Sequence, residues 1–461
     1  MRRFGTPEVR RLAAAAALLL PATPAFGQAA AEPGRARAIA AEVERLGTAP
    51  LWPGYEPLRI PLAIYTGSAT FLFRHPAPPE GFAPAGDGMH RWEGRHPAAT
   101  SNSSADIGGI PTATLLADGP RASQSPEVLA AVALHEAFHV FQRARHPAWI
   151  GNEGDLFLYP FDDARLLALR RLESAALRRA LAAAGPADAA CHTRGALDAR
   201  RQRFAAMDSA FAAYERGNEL NEGLATYIQL RAPGRTTVAI PEAEWPATGV
   251  RDRFYVVGPA LAFLLDRFRP GWQAELERND HQALDVMLSD ALGGNGERGT
   301  GNGDCAMDRA EKAAVEARAR ADAGAVVAAR GERRRAFDAR PGWRLVVEPA
   351  AGKPLWPQGF DPLNLERAEG GVLHTRFLRL GNEAGTVEGV DGEADLEAFT
   401  EAAGAHPLFN GVRRVAFVLP ARPEVVREGG KVVVRGPGFR AEFAGGEVVE
   451  AEGAVTIRLQ P

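Results

Sequence analysis

Between residues 126 and about 340, apolar positions recur every three or four residues, the spacing of one helical face. The stretch "PEVLAAVALHEAFHVFQRAR" begins at Ser125 and Pro126, a pair suited to an N-cap and a first helical turn. Two longer helical patterns follow, "DDARLLALRRLESAALRRALAAAG" and "ALDARRQRFAAMDSAFAAYERGNELNEGLATYIQL", separated by a Gly-Pro stretch around Cys191. The Arg- and Ala-rich residues 306–338 predict a solvated helix connecting two domains. Upstream, "ARAIAAEVERLG" predicts a short helix, and "LRIPLAIY" and "TFLF" flank Thr66-Gly67-Ser68 as the strands of a hairpin do. Residues 75–104, rich in Pro, Gly and polar groups, read as loops, and "IGGIPTATLLADG" offers one more strand. From Trp343 the pattern changes to short apolar runs divided by Gly-rich turns, among them "WRLVVEP", "VLHTRFLRLG", "RVAFVLP" and "KVVVRG". The expectation is an α+β chain. A domain over 28–340 has strands in 56–120 and helices in 126–338, and a β-rich domain covers 341–461.

At 461 residues the chain exceeds the size at which a single core is usual, in keeping with two domains. A net charge of -3 leaves no general attraction for nucleic acid or anionic lipid, so no nucleic-acid partner is expected. At the N-terminus, Arg2, Arg3, Arg10 and Arg11 precede the apolar run "LAAAAALLL", then Pro21 and Pro24, then the small-residue site "AFG". This order predicts a signal peptide over 1–27 and an exported protein, periplasmic or secreted. The apolar run is too short to span a bilayer, and no transmembrane segment is expected in the mature chain. Cys191 and Cys305 are the only cysteines. In an oxidising compartment they form a disulfide on one reading and remain two inert thiols on the other.

The chemistry-bearing segment is "ALHEAFHVFQ". His135 and His139 differ by four positions, so on a helix both imidazoles leave one face and can bind one metal. Glu136 lies about 100° round the helix from His135, beside a metal but outside its ligands, where it can take a proton from water. A solvent-facing helix with two satisfied histidines is the plain alternative. His146 is followed by Pro147 and reads as a helix terminator. A third ligand is expected from "ERGNELNEGLATY", where Glu215, Glu219 and Glu222 recur at helical spacing on one face. Three such carboxylates call for a cation opposite; for Glu215 and Glu219, a solvated stripe paired with arginines such as Arg216 is the other reading.

"HEAFH" followed by "LNEGLATY" resembles the gluzincin metallopeptidases, above all the aminopeptidase-N-like group. That likeness, covering roughly residues 100–275, implies one Zn2+ per chain held by His135, His139 and Glu222, with Glu136 as general base. "RFYVVGPALAFLLDRF" resembles the family's tyrosine, two residues and glycine leading into a helix, and implies that Tyr255 stabilises an oxyanion. His281 is the substitute if the site resembles thermolysin. Glu222 follows His139 by 83 residues, which implies a two-helix insertion between the motifs. "WIGNEGDLFLYP", residues 149–160, either lines the cleft or packs the turn after the zinc helix.

The expected protein is an exported zinc metallopeptidase, a hydrolase with a gluzincin-like catalytic domain acting on a peptide or protein substrate. The alternative is a non-catalytic relative that binds peptides or envelope components. If the N-terminus is a signal peptide, N-terminal sequencing of exported protein should begin at or near Gln28; an intact Met1 on the exported protein would reject it.

Overall fold

The computed structural model describes residues 26–243, 245–293, 307–361, 364–389 and 397–460. The proposed signal peptide therefore lies outside the described residues, except for Phe26 and Gly27. The chain is α+β. Among the described residues no helix is long and apolar enough to cross a membrane.

The first domain is built on a six-stranded sheet carrying β1 (Leu62–Tyr65), β2 (Ala69–Phe73), β3 (Ala83–Pro84), β4 (His90–Glu93), β5 (Ser103–Ile107) and β6 (Ile110–Leu116). Its spatial order is β3-β4-β2-β1-β6-β5, with β1 and β6 parallel and the other pairs antiparallel. Residues 75–104 thus supply β3, β4 and the start of β5 where loops were expected. These strands are short and half exposed, so their apolar alternation is weak. "IGGIPTATLLADG" is likewise not one strand: Gly108 and Gly109, at φ 58° and 77°, make the two-residue turn of the β5–β6 hairpin. Positive φ at both central positions is the geometry glycine admits most readily.

Alternation along the strands gives the sheet two apolar faces. Leu62 and Ile64 of β1, Phe71 of β2 and Leu115 of β6 join the main core beneath α1 (Phe26–Gly47) and α2 (Pro126–Arg145). Ala63 and Leu72, one step out of phase, pack with Phe82 and Ile107 on the other side. The α2 helix starts where Ser125 accepts a hydrogen bond from the Val128 N–H, with Pro126 in the first turn.

Then come α3 (Ala164–Ala182), α4 (Pro186–Ala205), α5 (Ser209–Asn218), a π-helical turn over Glu219–Gly223, and α6 (Leu224–Arg231). The helical pattern that reads as continuous over 196–230 is therefore broken. Asp208 caps α5, accepting from the Ala210 N–H, and the π turn divides α5 from α6. Cys191 lies inside α4, not in a separating stretch, and it is disulfide-bonded. Cys305, the only other cysteine, lies outside the described residues.

The first domain continues through α7 (Val250–Phe268), α8 (Trp272–Arg278) and α9 (Leu284–Ala291) to α10 (Arg309–Ala339). One face of α10 is not solvated: Ala319 and Ala323 pack on Leu167 and Ala168 of α3. At the centre of the main core the Trp52 ring meets Phe138 of α2, Trp149, Tyr227 of α6 and Trp272 of α8, with ring centroids 5.4–6.5 Å apart.

From Trp343 the chain forms a seven-stranded and a six-stranded sheet. Leu345, Val347, Val415 and Phe417 of the first face Leu380, Val387, Val434 and Phe443 of the second in one buried core. Val346, Phe399 and Val418 point the other way and pack Phe337 of α10. "VLHTRFLRLG" is divided between the sheets, since Gly371–His374 belongs to the first and Leu378–Asn382 to the second.

Six buried charges tie α3, α4, α5, the π turn and α7 together. Glu173 accepts from Arg200 at 2.8–2.9 Å and from Arg203 at 2.8 Å, and lies 2.7 Å from Arg253. Glu215 pairs with Arg203, and Glu219 accepts from Arg200 at 2.7 Å. All six side chains are fully buried. Burial opposes charge on Glu173, yet Arg200, Arg253 and Arg203 together hold its carboxyl well below the ordinary value near 4.5. Removing one partner of such a cluster strands its buried cations. Glu173→Gln should therefore lower unfolding free energy in urea by about 3–5 kcal/mol at neutral pH. A depressed carboxyl pKa adds stability that is present above 4.5 and lost as pH falls below it. The difference between wild type and variant should accordingly shrink between pH 6 and pH 3. A variant as stable as wild type at neutral pH would show that the cluster does not hold these helices.

Candidate metal centre

His135 and His139 lie one turn apart on α2, and their Nε2 atoms converge to 3.0 Å. The Glu222 carboxylate reaches the same point from the π turn, with Oε2 3.2 Å from His139 Nε2 and 3.6 Å from His135 Nε2. These three atoms form a triangle. Zinc bonds of about 2.0–2.2 Å at tetrahedral angles place ligand atoms about 3.3–3.6 Å apart, so the triangle suits such an ion with little adjustment. Two imidazoles and one carboxylate are also the donor number and type of a catalytic zinc site.

The surroundings favour these roles. His139 Nδ1 lies 2.8 Å from Gln142 Oε1, and the Gln142 amide donates to the carbonyls of Leu220 and Asn221 at 2.8 and 3.0 Å. With both amide hydrogens committed to carbonyls, Oε1 can only accept. That puts the His139 proton on Nδ1 and frees Nε2 as a ligand. Gln142 also ties α2 to the turn that carries Glu222. Sequence reasoning missed it, though its position three residues after His139, on the same helical face, is a usable signal. His135 Nδ1 is buried with no hydrogen-bond partner among the described residues; its ring stacks against Tyr255, with centroids 6.3 Å apart and planes 10° apart.

Burial raises the Glu222 pKa, but the adjacent His135 and His139 imidazoles outweigh it and hold the carboxyl well below the usual range. Glu136 differs: burial pushes its pKa up, only partly offset by His135 and His139. His135, Glu136 and His139 bring ligand-type atoms within 4.8 Å of one another. Glu222 Oε2 lies 3.2–3.6 Å from the two Nε2 atoms.

Two glycines set the rest. A Cβ on Gly223 would come 2.6 Å from Gly258 Cα, and one on Gly258 would come 2.4 Å from Gly223 Cα and 3.0 Å from Glu219 O. No side chain fits at either position, so α7 crosses the π turn backbone against backbone. Tyr255 precedes Gly258 by three residues and is thereby brought beside Glu222, close enough for the carboxylate to act on its hydroxyl. Burial, reinforced by Glu222, pushes the Tyr255 hydroxyl well above its ordinary pKa, so it stays a donor.

The structure corrects three sequence expectations. Glu215 and Glu219 do not share a metal-facing surface with Glu222. The wider π turn advances fewer degrees per residue than an α turn, which rotates Glu222 out of their line. Nor are they a solvated stripe: they are buried against Arg203 and Arg200, while Arg216 pairs with Asp285 at 2.7 Å. His281 is 83% exposed beside Asp280 and does not line the cleft, so it cannot substitute for Tyr255. His146 caps the end of α2; its ring lies 2.9 Å from Glu277 and stacks on Trp149 at 3.9 Å.

A cleft of about 540 Å³ opens over the three donor atoms, with Asn102, Arg121, Arg143, Ile150, Asn221 and Gln229 among its walls. The 149–160 segment both lines and packs. Trp149 and Ile150 face the cleft, whereas Phe157 meets His406 and Phe409 of the β domain at 5.8 and 6.2 Å. Tyr159 donates to Glu215.

No protein-family model matches the chain, and no curated protein or solved structure matches it either.

Because Gln142 orients His139, Gln142→Met should weaken Zn2+ binding roughly 10- to 100-fold in chelator competition. Unchanged affinity would show that the glutamine serves only to join the two helices.

Proposed function

We propose that the protein is an exported zinc-dependent hydrolase of the gluzincin type that cleaves peptide bonds. The observation that carries this reading is the triangle of His135 Nε2, His139 Nε2 and Glu222 Oε2, edged at 3.0–3.6 Å, with Glu136 beside it and Tyr255 across it. Export rests on the N-terminal sequence pattern.

Zinc held by those three residues supplies a Lewis acid that polarises a carbonyl and makes water more acidic. Glu136 takes a proton as water attacks the scissile carbonyl carbon, then delivers it to the amine nitrogen as the C–N bond breaks. Its burial suits this work, since a carboxylate with a raised pKa accepts a proton more readily. Tyr255 donates a hydrogen bond to the carbonyl oxygen as negative charge gathers there. Gln142 keeps the His139 Nε2 lone pair aimed at the metal.

The neighbouring residues thus have separable jobs. Glu136→Gln should keep one zinc per chain and abolish cleavage of a peptide library, whereas Glu222→Gln should lose zinc, because a neutral amide is a poorer ligand. Tyr255→Phe should retain zinc and lower turnover by roughly 10²–10³. Metal analysis beside single-turnover assays reads all three. Wild type loaded with zinc that cleaves no peptide would overturn the hydrolase reading.

A further inference from the structure

The cleft carries a charge that proton transfer and metal binding do not use. Its lining includes two carboxylates, Glu136 and Glu222, both committed at the metal centre, and two guanidiniums, Arg121 and Arg143. Arg143, one turn beyond His139 on α2, donates to the Ser104 carbonyl at 2.8 Å and so ties β5 to α2.

Arg121 has no such task. It ends a short 3-10 turn, Gly119–Arg121, just before α2. Its backbone is fixed at both ends: the N–H donates to Asp118 O at 3.0 Å, and the carbonyl accepts from Arg35 Nη2 at 3.1 Å. Arg121 is a half-buried residue in the cleft's lining, and its guanidinium has no hydrogen-bond or ion-pair partner among the described residues. It also lies close enough to Glu136 for its charge to act on that carboxyl. A fixed backbone at the cleft's edge carrying an uncommitted fork of donors is suited to receive a planar anion.

We infer that Arg121 is a specificity residue that binds a carboxylate of the substrate near the scissile bond. The inference rests on the peptidase reading and narrows it to peptides that present such a group. A bidentate pair forms between the guanidinium and the carboxylate, outside the metal's ligand set, and holds the chain across Glu136 and Tyr255. The carboxylate comes from an Asp or Glu side chain or from the peptide's C-terminus.

The test uses the full chain loaded with zinc and two peptide series of one alanine-rich hexamer scaffold. In the first, both ends are blocked and a single Glu, Gln or Lys is moved through each position. In the second, all side chains are neutral and the C-terminus is either free or amidated. At one position Glu should raise kcat/KM over Gln, or the free C-terminus should raise it over the amide, by roughly 10- to 100-fold, the worth of one charged hydrogen-bonded pair. The series that responds identifies the source. Arg121→Ala should erase the preference through KM, Arg121→Lys should restore part of it, and Arg165→Ala, which removes an exposed charge on α3, should leave it intact.

Equilibrium binding of the same peptides to zinc-loaded Glu136→Gln, with and without Arg121→Ala, gives a readout that needs no turnover. If no peptide is cleaved yet carboxylate peptides bind in an Arg121-dependent way, the carboxylate site stands and the hydrolase reading falls. Equal binding and cleavage of Glu, Gln and amidated peptides, or a preference that survives Arg121→Ala, would overturn the inference.

Discussion

Glu173, Glu215 and Glu219 sit with Arg200, Arg203 and Arg253 in the interior, and the helical half of the first domain is arranged round them. A charge taken out of water is costly unless partners surround it, so the six residues admit few placements of the helices that carry them. A hydrophobic contact tolerates sliding, whereas a forked guanidinium between carboxylates does not. The cluster reaches Glu219, the first residue of the π turn, and the third residue after it is Glu222. Burial thus fixes the segment from which the carboxylate leans toward the two histidines.

The π turn costs regular hydrogen bonding and returns a change of direction. Had α5 run unbroken into α6, Glu222 would follow Glu215 and Glu219 round to the arginines. The extra width of the turn aims it the other way, and Gly223 and Gly258 let α7 approach closely enough for Tyr255 to join it. Gln142 closes the arrangement from the opposite side, bonding the turn's carbonyls with one end and His139 with the other. Three elements distant in sequence are locked at one point by one close backbone crossing and one amide. The β domain takes part through the 149–160 segment: His406 lies 3.1 Å from the Gly154 carbonyl, steadying the loop whose first residues wall the cleft.

Local rules read the parts that depend on neighbours along the chain. Ser125 and Pro126 mark the start of α2, and the four-residue spacing of His135 and His139 places them on one face because helical geometry allows nothing else. The Thr66-Gly67-Ser68 turn and the change to strands after Trp343 are equally local. The same rules failed for β3 and β4, whose two and four residues are held by pairing, β4 with β2 and β3 with β4, rather than by any pattern of their own.

What only tertiary structure decided is which of three similar glutamates meets the histidines. In "ERGNELNEGLATY" the glutamates at 215, 219 and 222 have helical spacing, and nothing local separates an ion pair from a metal ligand. The arginines that claim the first two come from α4 and α7, and the turn that sends the third elsewhere is stabilised by a glycine contact thirty-five residues away in sequence. Helical periodicity is a property of consecutive residues and is written in them. The partner of a buried charge is set by whatever the rest of the fold brings within reach.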